Sequence, residues 1–247
     1  MSARPAVIGI LGGMGPEATV RFFDLVVRNT RARRDQDHIP VIVWNDPRVP
    51  DRTAAILGKG KSPVPRLKAG AAALRKAGAD IIVIPCITAH NYIGELAAGH
   101  ESGFINLLGE TRKYVRGRFP RVGKIGVLAT TGTIRAAIID RTFAGTGVEV
   151  VVPTAGDQKK VMEAIYGRRG IKAGFPPGPL RKILAGVARR LVRRGAGVIL
   201  AGCTEIPLVL ESQDLTVPLI DPMAVGAEAC IRLAGYVPKA KIVRRKS

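Results

Sequence analysis

The chain has 247 residues, 47% of them hydrophobic, which is enough to fill the core of one large domain or of two small ones. No apolar run is longer than a strand and the first residues lack the pattern of a secretion signal, so the sequence excludes a membrane-spanning helix and predicts a cytoplasmic protein. Three widely separated cysteines argue against a disulfide framework or a metal site such as zinc, and a formal net charge of +20 predicts anionic ligands or partners.

Strands and helices alternate along the first half of the chain. The continuous apolar run at residues 6–11 predicts a strand that is buried on both faces, and Pro16 suits the first turn of a helix that continues to Arg28. The other elements predicted in this half are strands at residues 41–44, 81–84 and 104–106 and a helix at residues 65–76.

The second half follows the same scheme. Its predicted elements are strands at residues 124–128, 148–152, 198–201 and 219–221 and a helix at residues 179–194. Because strands that alternate with helices form parallel sheets with right-handed crossovers, the predicted fold class is α/β.

A repeat with a constant offset of 117 residues relates the two halves. Residues 8–11 (IGIL) match residues 125–128 (IGVL), and residues 78–86 match residues 195–203. Since two separate segments share one offset, we predict two pseudo-symmetric domains, each a mostly parallel sheet flanked by helices, with the active site in the cleft between them. The expected division is residues 1–117 plus 217–247 for the first domain and residues 118–216 for the second.

Ligands of such sheets gather beyond the carboxyl ends of the strands. Residues 12–15 and 130–133 follow matching strands of the two halves, and Cys86 and Cys203 follow another matching pair. If the halves pack about a pseudo-two-fold axis, the two cysteines approach one site from opposite sides.

Two opposed thiols suit proton transfer at a single carbon atom. Racemisation removes a proton from one face of the carbon and delivers another to the opposite face, and thiols can be tuned for this work near neutral pH. His90 and Glu205 follow the two cysteines closely and are candidates to adjust the proton affinity of those thiols. A lone cysteine is more often a small buried hydrophobe, which is how we interpret Cys230, a residue without a repeat partner.

Several segments resemble the aspartate/glutamate racemase family, most closely its aspartate racemase branch, over nearly the whole chain. The segments that carry the resemblance are residues 8–16, 50–53, 85–86, 88–90, 128–133, 201–205 and 218–222. The resemblance implies racemisation of an acidic amino acid without pyridoxal phosphate, metal or nucleotide. It also implies a homodimer, as in many members of the family.

The resemblance implies roles for individual residues as well. Cys86 and Cys203 match the two proton-transfer cysteines. Arg52 matches an arginine that pairs with the substrate's side-chain carboxylate, and Lys172 matches a lysine on a mobile segment that closes on the ligand. The other positions that match residues lining the substrate are Met14, Thr88, Thr130, Thr131 and Thr204.

The chemistry of arginine and lysine is compatible with the roles implied for Arg52 and Lys172 but does not require them. The guanidinium fork can hold a carboxylate at two points, although a solvated or structural role is the default for an isolated arginine such as Arg52. Glycines on both sides of Lys172 suit a loop that moves, and an ordinary exposed lysine of a basic loop fits the sequence equally well.

Ile87 departs from the family pattern. The family normally has an asparagine directly after the first cysteine, where its side chain helps to bind the amino acid, and isoleucine removes both a donor and an acceptor. Losing such contacts weakens binding by about 1–3 kcal/mol if the partners stay unsatisfied. A changed substrate preference, a slower enzyme and a different reaction therefore stay open.

Other enzymes on the same scaffold are the first alternative. Relatives of this architecture racemise hydantoins or a broad range of amino acids, isomerise maleate, or decarboxylate substituted malonates, and two matched cysteines favour a racemase over a decarboxylase. A dinucleotide enzyme is a weaker alternative. Residues 13–18 fit the G-x-G-x-x-A pattern, but we find no convincing acidic residue at the end of the second predicted strand.

Nucleic-acid binding is the non-enzymatic alternative, and it rests on the net charge. The basic residues cluster in stretches at residues 28–34, 112–121, 168–172, 189–194 and 239–246. The chain has only eleven aromatic residues, and none is interleaved with these stretches as a stacking platform would be. A basic surface suited to anionic metabolites is the interpretation we favour.

Overall fold

Two four-stranded parallel sheets form the framework of the protein in the computed structural model, which describes residues 5–98 and 103–239. The terminal segments of the predicted first domain, residues 1–4 and 240–247, lie outside the described residues, as does most of the basic stretch at 239–246. No helix within the described ranges is long and apolar enough to cross a membrane.

The first sheet has the strand order β2-β1-β3-β4. Its strands are β1 (Ile8–Gly12), β2 (Val41–Asn45), β3 (Ile81–Val83) and β4 (Phe104–Ile105). The helices of this part of the chain are α1 (Pro16–Asn29), α2 (Arg52–Ile56), α3 (Val64–Lys76), α4 (Ile93–Ala97) and α5 (Leu107–Arg118).

The second sheet repeats that order as β6-β5-β7-β8. Its strands are β5 (Lys124–Ala129), β6 (Glu149–Val151), β7 (Val198–Gly202) and β8 (Leu219–Ile220). The helices are α6 (Thr131–Arg135), α7 (Ile138–Phe143), α8 (Ala155–Tyr166), α9 (Pro177–Arg193) and α10 (Pro222–Leu233).

The pairing of strands in the two sheets reproduces the repeat that the sequence predicts. Ile8 of β1 pairs with Ile81 of β3, and Ile125 of β5 pairs with Val198 of β7. Both partners are displaced by the same 117 residues, so the two sheets share one design. The predicted α/β fold with two parallel sheets flanked by helices is confirmed.

Burial explains why these segments form strands and helices. All residues of β1 and β7 are buried, as expected for parallel strands covered on both faces. Helix α1 begins at Pro16, whose fixed φ suits a first turn, and it buries Ala18, Phe22 and Val26 at a spacing of four residues.

The predicted division at residue 217 needs one correction. Strand β8 falls in the segment that we assigned to the first domain, but it pairs with β7 of the second sheet. The helix that follows, α10, does pack against α1 of the first half. The chain therefore completes the second sheet before it crosses back, and the two halves share an apolar cluster that includes Ile10, Phe22, Val127 and Phe143.

Candidate active site

The two matched cysteines lie at equivalent strand ends. Cys203 directly follows β7, and Cys86 comes three residues after β3. Each is 5% exposed, and each packs in the apolar cluster of its own half. A short 3-10 turn follows each of them, at Thr88–Tyr92 and at Ile206–Leu208.

Cys203 is hydrogen-bonded to a buried carboxylate. Its Sγ donates to Glu205 Oε2 at 2.8 Å, and the Thr204 hydroxyl donates to the same oxygen at 3.1 Å. The other carboxylate oxygen, Oε1, pairs with the ammonium group of Lys172. Glu205 thus joins the second cysteine to the predicted lid lysine.

These neighbours decide which group holds a proton. Burial raises the pKa of Glu205, but the positive charge of Lys172 and the hydrogen bond from Cys203 outweigh it, so the pKa lies below its usual value. Burial and the Glu205 charge raise the pKa of Cys203 well above that of a free thiol, although Lys172 opposes them. Cys203 is therefore a thiol beside a carboxylate.

Arg52 is buried beside the first cysteine, and most of its donors are engaged. Its Nη1 donates to the carbonyl oxygens of Val49 and Pro50 at 3.2 and 3.0 Å, and its Nη2 donates to that of Met14 at 3.2 Å. Its Nε is buried without a hydrogen-bond partner among the described residues. Burial lowers the pKa of Arg52, but nearby negative charge, with that of Cys86 the largest, raises it overall.

A cavity of about 410 Å³ opens above these residues. Its wall combines the loop before α1 and the first turn of that helix with four predicted site residues, Met14, Arg52, Lys172 and Glu205. A helix N-terminus and two cationic side chains favour an anion in this cavity. Neither cysteine is among the residues that line the cavity, and each belongs to a buried apolar cluster.

The family model for Asp/Glu/hydantoin racemases matches residues 11–230 of the chain. The chain belongs to this family. The aspartate racemase of Picrophilus torridus is 30% identical, with a TM-score of 0.84 and coverage of 95% of this chain and 96% of that one. The broad specificity amino-acid racemase RacX of Bacillus subtilis is 28% identical over 234 residues, which are 91% of this chain and 96% of the relative.

Glutamate racemases share the fold at lower identity. The enzyme from Francisella tularensis, solved in complex with D-glutamate, is 16% identical, has a TM-score of 0.65, and is matched over 93% of this chain and 81% of its own. The resemblance inferred from the sequence is confirmed at the level of the family, and the solved racemases confirm the fold.

Of the four predicted threonines, two share a buried cluster, Thr131 lies in a different environment, and Thr204 is hydrogen-bonded to Glu205. Thr88 and Thr130 lie in a buried cluster of hydroxyl groups, where Thr88 is 3.2 Å from Thr130 and 3.0 Å from Thr133. The Thr53 hydroxyl donates to Thr130 at 3.2 Å, so the cluster joins the two halves. Thr131 points elsewhere, because its hydroxyl accepts from Gln158 at 3.2 Å in helix α8.

His90 contacts the backbone of the first cysteine rather than its sulfur. Its Nδ1 lies 2.9 Å from the carbonyl oxygen of Cys86, and its Nε2 accepts a hydrogen bond from the backbone N–H of Leu107 at 3.1 Å. This places the ring proton on Nδ1. Burial lowers the pKa of His90 to about 4, so the ring is neutral at pH 7. The side chain fixes the loop that carries Cys86.

Ile87 packs in the apolar cluster shared by the two halves and is fully buried. Its repeat partner is Thr204, which donates to Glu205. Where the second half offers a hydroxyl next to its cysteine, the first half offers only a hydrocarbon side chain.

Tyr166 contacts two residues of the cavity wall, and no sequence motif singled it out. Its hydroxyl donates to Asp51 at 2.9 Å and thereby links α8 to the start of α2. The Lys172 ammonium lies 5.6 Å from the centre of its ring. Burial and, after it, the negative charge of Asp51 raise the pKa of this phenol. Only the fold brings these segments together.

Asp46 corrects the analysis of the dinucleotide pattern. It directly follows β2, where such enzymes carry an acidic residue, and we overlooked it. Its Oδ1 accepts from Arg48 at 2.8 Å and its Oδ2 from Arg66 at 2.6 Å, and these contacts lower its pKa to about 2. Both oxygens are therefore engaged. Within the described residues, no group of three or more His, Cys, Asp or Glu side chains could hold a metal ion.

Proposed function

We propose that the protein interconverts the L and D forms of an acidic amino acid, aspartate or glutamate, by proton transfer at Cα between Cys86 and Cys203. The mechanism needs no pyridoxal phosphate, metal or nucleotide. The observation that carries the proposal is that each half supplies one cysteine at an equivalent strand end, with Cys203 hydrogen-bonded to Glu205, whose partner Lys172 lies with Arg52 in the wall of the cavity.

Binding begins with the substrate carboxylate in this proposal. The α1 N-terminus and the Lys172 ammonium attract the carboxylate into the cavity. Lys172 lies in a 3-10 turn, Ile171–Ala173, which ends at Gly174 with a φ of 73°. To close on the substrate, Lys172 exchanges Glu205 for the carboxylate, and this exchange opens the path from the cavity to the sulfurs.

In the chemical step, one sulfur acts as the base and the other acts as the acid. One sulfur takes the proton from Cα, the electron pair remains on the carbon and its carboxylate, and the other thiol delivers its proton to the opposite face. Thr204 and Glu205 hold the second thiol, and His90 holds the loop of the first. The side chains of Met14, Thr88 and Thr130 complete the surroundings of the substrate in this proposal.

A broad-specificity amino-acid racemase is the second candidate, and the state of Arg52 favours it. Three of the five N–H donors of this side chain already bind backbone carbonyls, which leaves little of the fork for a second carboxylate. Ile87 adds no polar group. The similarity to RacX, whose name states broad specificity, supports the same candidate.

A substrate panel separates the two candidates. Both enantiomers of aspartate, glutamate, alanine, methionine and lysine are incubated with the purified protein in deuterated water, and the products are analysed by chiral chromatography and mass spectrometry. Turnover confined to aspartate and glutamate supports the first candidate, and turnover of neutral amino acids supports the second. No Cα exchange with any of these amino acids contradicts both.

A homodimer is also part of the proposal. Helix α1 exposes three apolar side chains at positions i, i+3 and i+7, namely Val20 (68% exposed), Phe23 (40%) and Val27 (38%), and a second copy of the chain would cover them. Light scattering should give twice the chain mass of 26.2 kDa. The nucleic-acid alternative makes a different prediction, namely salt-sensitive gel-shift binding in the absence of racemase activity.

A further inference from the structure

A second cavity, which we call the α6–α8 groove, lies on the second half of the chain. Its wall comes from residues within 131–135 and 153–167, and its volume is about 690 Å³, a size typical of sites for small molecules. The cavity that contains Arg52 and Lys172 measures about 410 Å³, and the two cavities share no lining residue. The proposed reaction makes no use of this groove.

Three charged side chains line the α6–α8 groove without an ion-pair partner. Arg135 is the last residue of α6, and Lys159 and Glu163 lie one turn apart on α8. None of the three forms an ion pair with another described residue. Lys160, which does not line the groove, pairs with Asp157 at 3.4 Å. The groove therefore presents two cationic groups and one carboxylate that no protein group compensates.

The rest of the wall adds apolar surface and a helix N-terminus. The apolar side chains are those of Ile134, Pro153 and Met162. Ala155, the first residue of α8, lines the groove as well, and the free N–H groups of a first helical turn carry partial positive charge. A ligand that complements this wall has a carboxylate for the cations, an ammonium group for Glu163 and a hydrocarbon part.

Gln158 gives the groove a buried acceptor that lacks a donor. Its Nε2 donates to the carbonyl oxygen of Ala129 at 3.0 Å and to the Thr131 hydroxyl at 3.2 Å, which fixes the orientation of the amide. Its Oε1 is buried and has no hydrogen-bond partner among the described residues. Leaving a buried acceptor unsatisfied is unfavourable, and a ligand ammonium is a donor of the kind that this oxygen lacks.

Two contacts connect the groove with the neighbouring active-site cavity. Tyr166 lines the groove, and its hydroxyl donates to Asp51 of the cavity wall at 2.9 Å. Met162 also lines the groove, and its Sδ accepts from the backbone N–H of Thr131 at 3.2 Å. Since Thr131 directly follows Thr130, an occupant of the groove touches side chains that support the active site.

We propose that the α6–α8 groove is a second ligand site, which binds a small zwitterion with an apolar side chain, namely a free amino acid or a dipeptide. The carboxylate of the ligand lies against Arg135 and Lys159, and its ammonium group lies against Glu163. The inference goes beyond the proposed function and does not require racemase activity.

Methionine methyl groups can report on the two cavities separately. Met162 lines the groove, Met14 lines the active-site cavity, and Met223 is fully buried in α10. The whole protein is labelled with methyl-carbon-13 methionine, and its methyl NMR spectrum is recorded at pH 7 during titration with leucine and, separately, with leucyl-leucine. The Met14→Leu and Met162→Leu variants assign the signals.

We expect the Met162 signal to shift and to saturate at millimolar concentrations of at least one of the two ligands, while the Met223 signal stays in place. A response to leucine identifies a free amino acid as the ligand, and a response to leucyl-leucine alone identifies a dipeptide. An unmoved Met162 signal with both ligands would overturn the proposal.

Analogues that carry one charge test the recognition of a zwitterion. Leucine without its ammonium group is 4-methylpentanoate, and leucine without its carboxylate is 3-methylbutylamine. The corresponding dipeptides are the N-acetylated and the C-amidated forms. Because each analogue leaves one side of the groove uncompensated, it should bind about threefold more weakly or worse. An analogue that binds as tightly as its parent would contradict the assigned ligand class.

Substitutions on α8 locate the site. Lys159→Gln and Glu163→Gln each remove one charge from the groove and should raise the ligand concentration at the midpoint of the Met162 titration by about threefold or more. Lys160→Gln is the matched control on the same helix and should leave that midpoint unchanged, because Lys160 pairs with Asp157 outside the groove. Equal midpoints in all three variants would overturn the proposal.

The Met14 signal distinguishes the groove from the active-site cavity. A ligand that enters only the cavity would shift Met14 and Met162 with one common midpoint in the unmodified protein and in every variant, and this result would overturn the proposal. Ligand binding in the groove without racemase activity would contradict the proposed function alone. Racemase activity without any response of Met162 would contradict the groove site alone.

Discussion

A close approach of α2 to α6 at Gly132 gives a direct test of how tightly the two halves must pack. A Cβ atom added at Gly132 would lie 2.8 Å from both Cα and Oγ1 of Thr53. This is about 0.6 Å nearer than ordinary van der Waals contact, and the Cα atom cannot rotate away as a side chain could. Gly132→Ala must therefore push back α2, the helix that carries Arg52.

The expected cost follows from two opposing terms. Overpacking of this kind costs about 1–3 kcal/mol, and alanine recovers up to about 1 kcal/mol of helix stability over glycine. We therefore expect a net loss of about 0–3 kcal/mol in the free energy of unfolding. The activity should fall further, by about 10- to 100-fold in kcat/KM, because a shift of less than 1 Å misplaces Arg52 and the threonine cluster.

Urea denaturation and racemisation rates provide the readouts, with Gly156→Ala as the matched control. Gly156 lies in α8, and a Cβ there would meet no atom within 4 Å. This variant should keep full activity and be as stable as the unmodified protein or up to about 1 kcal/mol more stable. If Gly132→Ala behaved like Gly156→Ala in both assays, the close approach of the two halves would not matter for function.

Three further predictions concern single side chains. Arg52→Ala should lower the free energy of unfolding by about 1–3 kcal/mol, because three backbone carbonyls lose their donor, and unchanged stability would contradict this anchoring; a kinetic loss confined to aspartate and glutamate would favour the acidic-substrate candidate, and equal losses for neutral amino acids the broad-specificity one. Lys172→Ala should raise KM more than it lowers kcat, and an unchanged KM would contradict its contact with the carboxylate. His90 should make stability depend on pH, since burial lowers its pKa to about 4 while the unfolded chain takes up the proton near 6.5. Stabilisation is complete above about pH 6.5 and is lost by roughly 3 kcal/mol as the pH falls to about 4, so the urea-derived curve of His90→Gln should lack this component.

The sequence predicted the sheets well because buried parallel strands leave a strong signal. Continuous apolar runs marked β1, β5 and β7, and the 117-residue offset anticipated that Ile8–Ile81 and Ile125–Val198 would be equivalent pairs. Helix α5 was not predicted, because its sequence LLGETRKYVRGR is largely polar and its buried residues, Leu107, Leu108, Thr111 and Val115, are few. Strand β8 is only two residues long, and nothing local assigns it to one sheet.

Only the site residues that directly follow a predicted strand could be located from the sequence. The strand-end rule placed Cys86 and Cys203, because the carboxyl ends of parallel strands lie at one edge of a sheet. The pairing of Lys172 with Glu205 and the bond from Tyr166 to Asp51 span many residues of sequence, and only tertiary packing creates them. The anchoring of Arg52 by three carbonyls depends on loop geometry that no motif encodes.

Racemisation by Cys86→Ala and Cys203→Ala, followed by deuterium incorporation at Cα in deuterated water, tests most directly whether one thiol from each half serves a single site. With two bases, the unmodified protein should place solvent deuterium in the product while the remaining substrate stays protiated at early times, and each variant should lose racemisation. Near-normal racemisation by either variant, or early deuterium in the recovered substrate, would contradict the two-cysteine account.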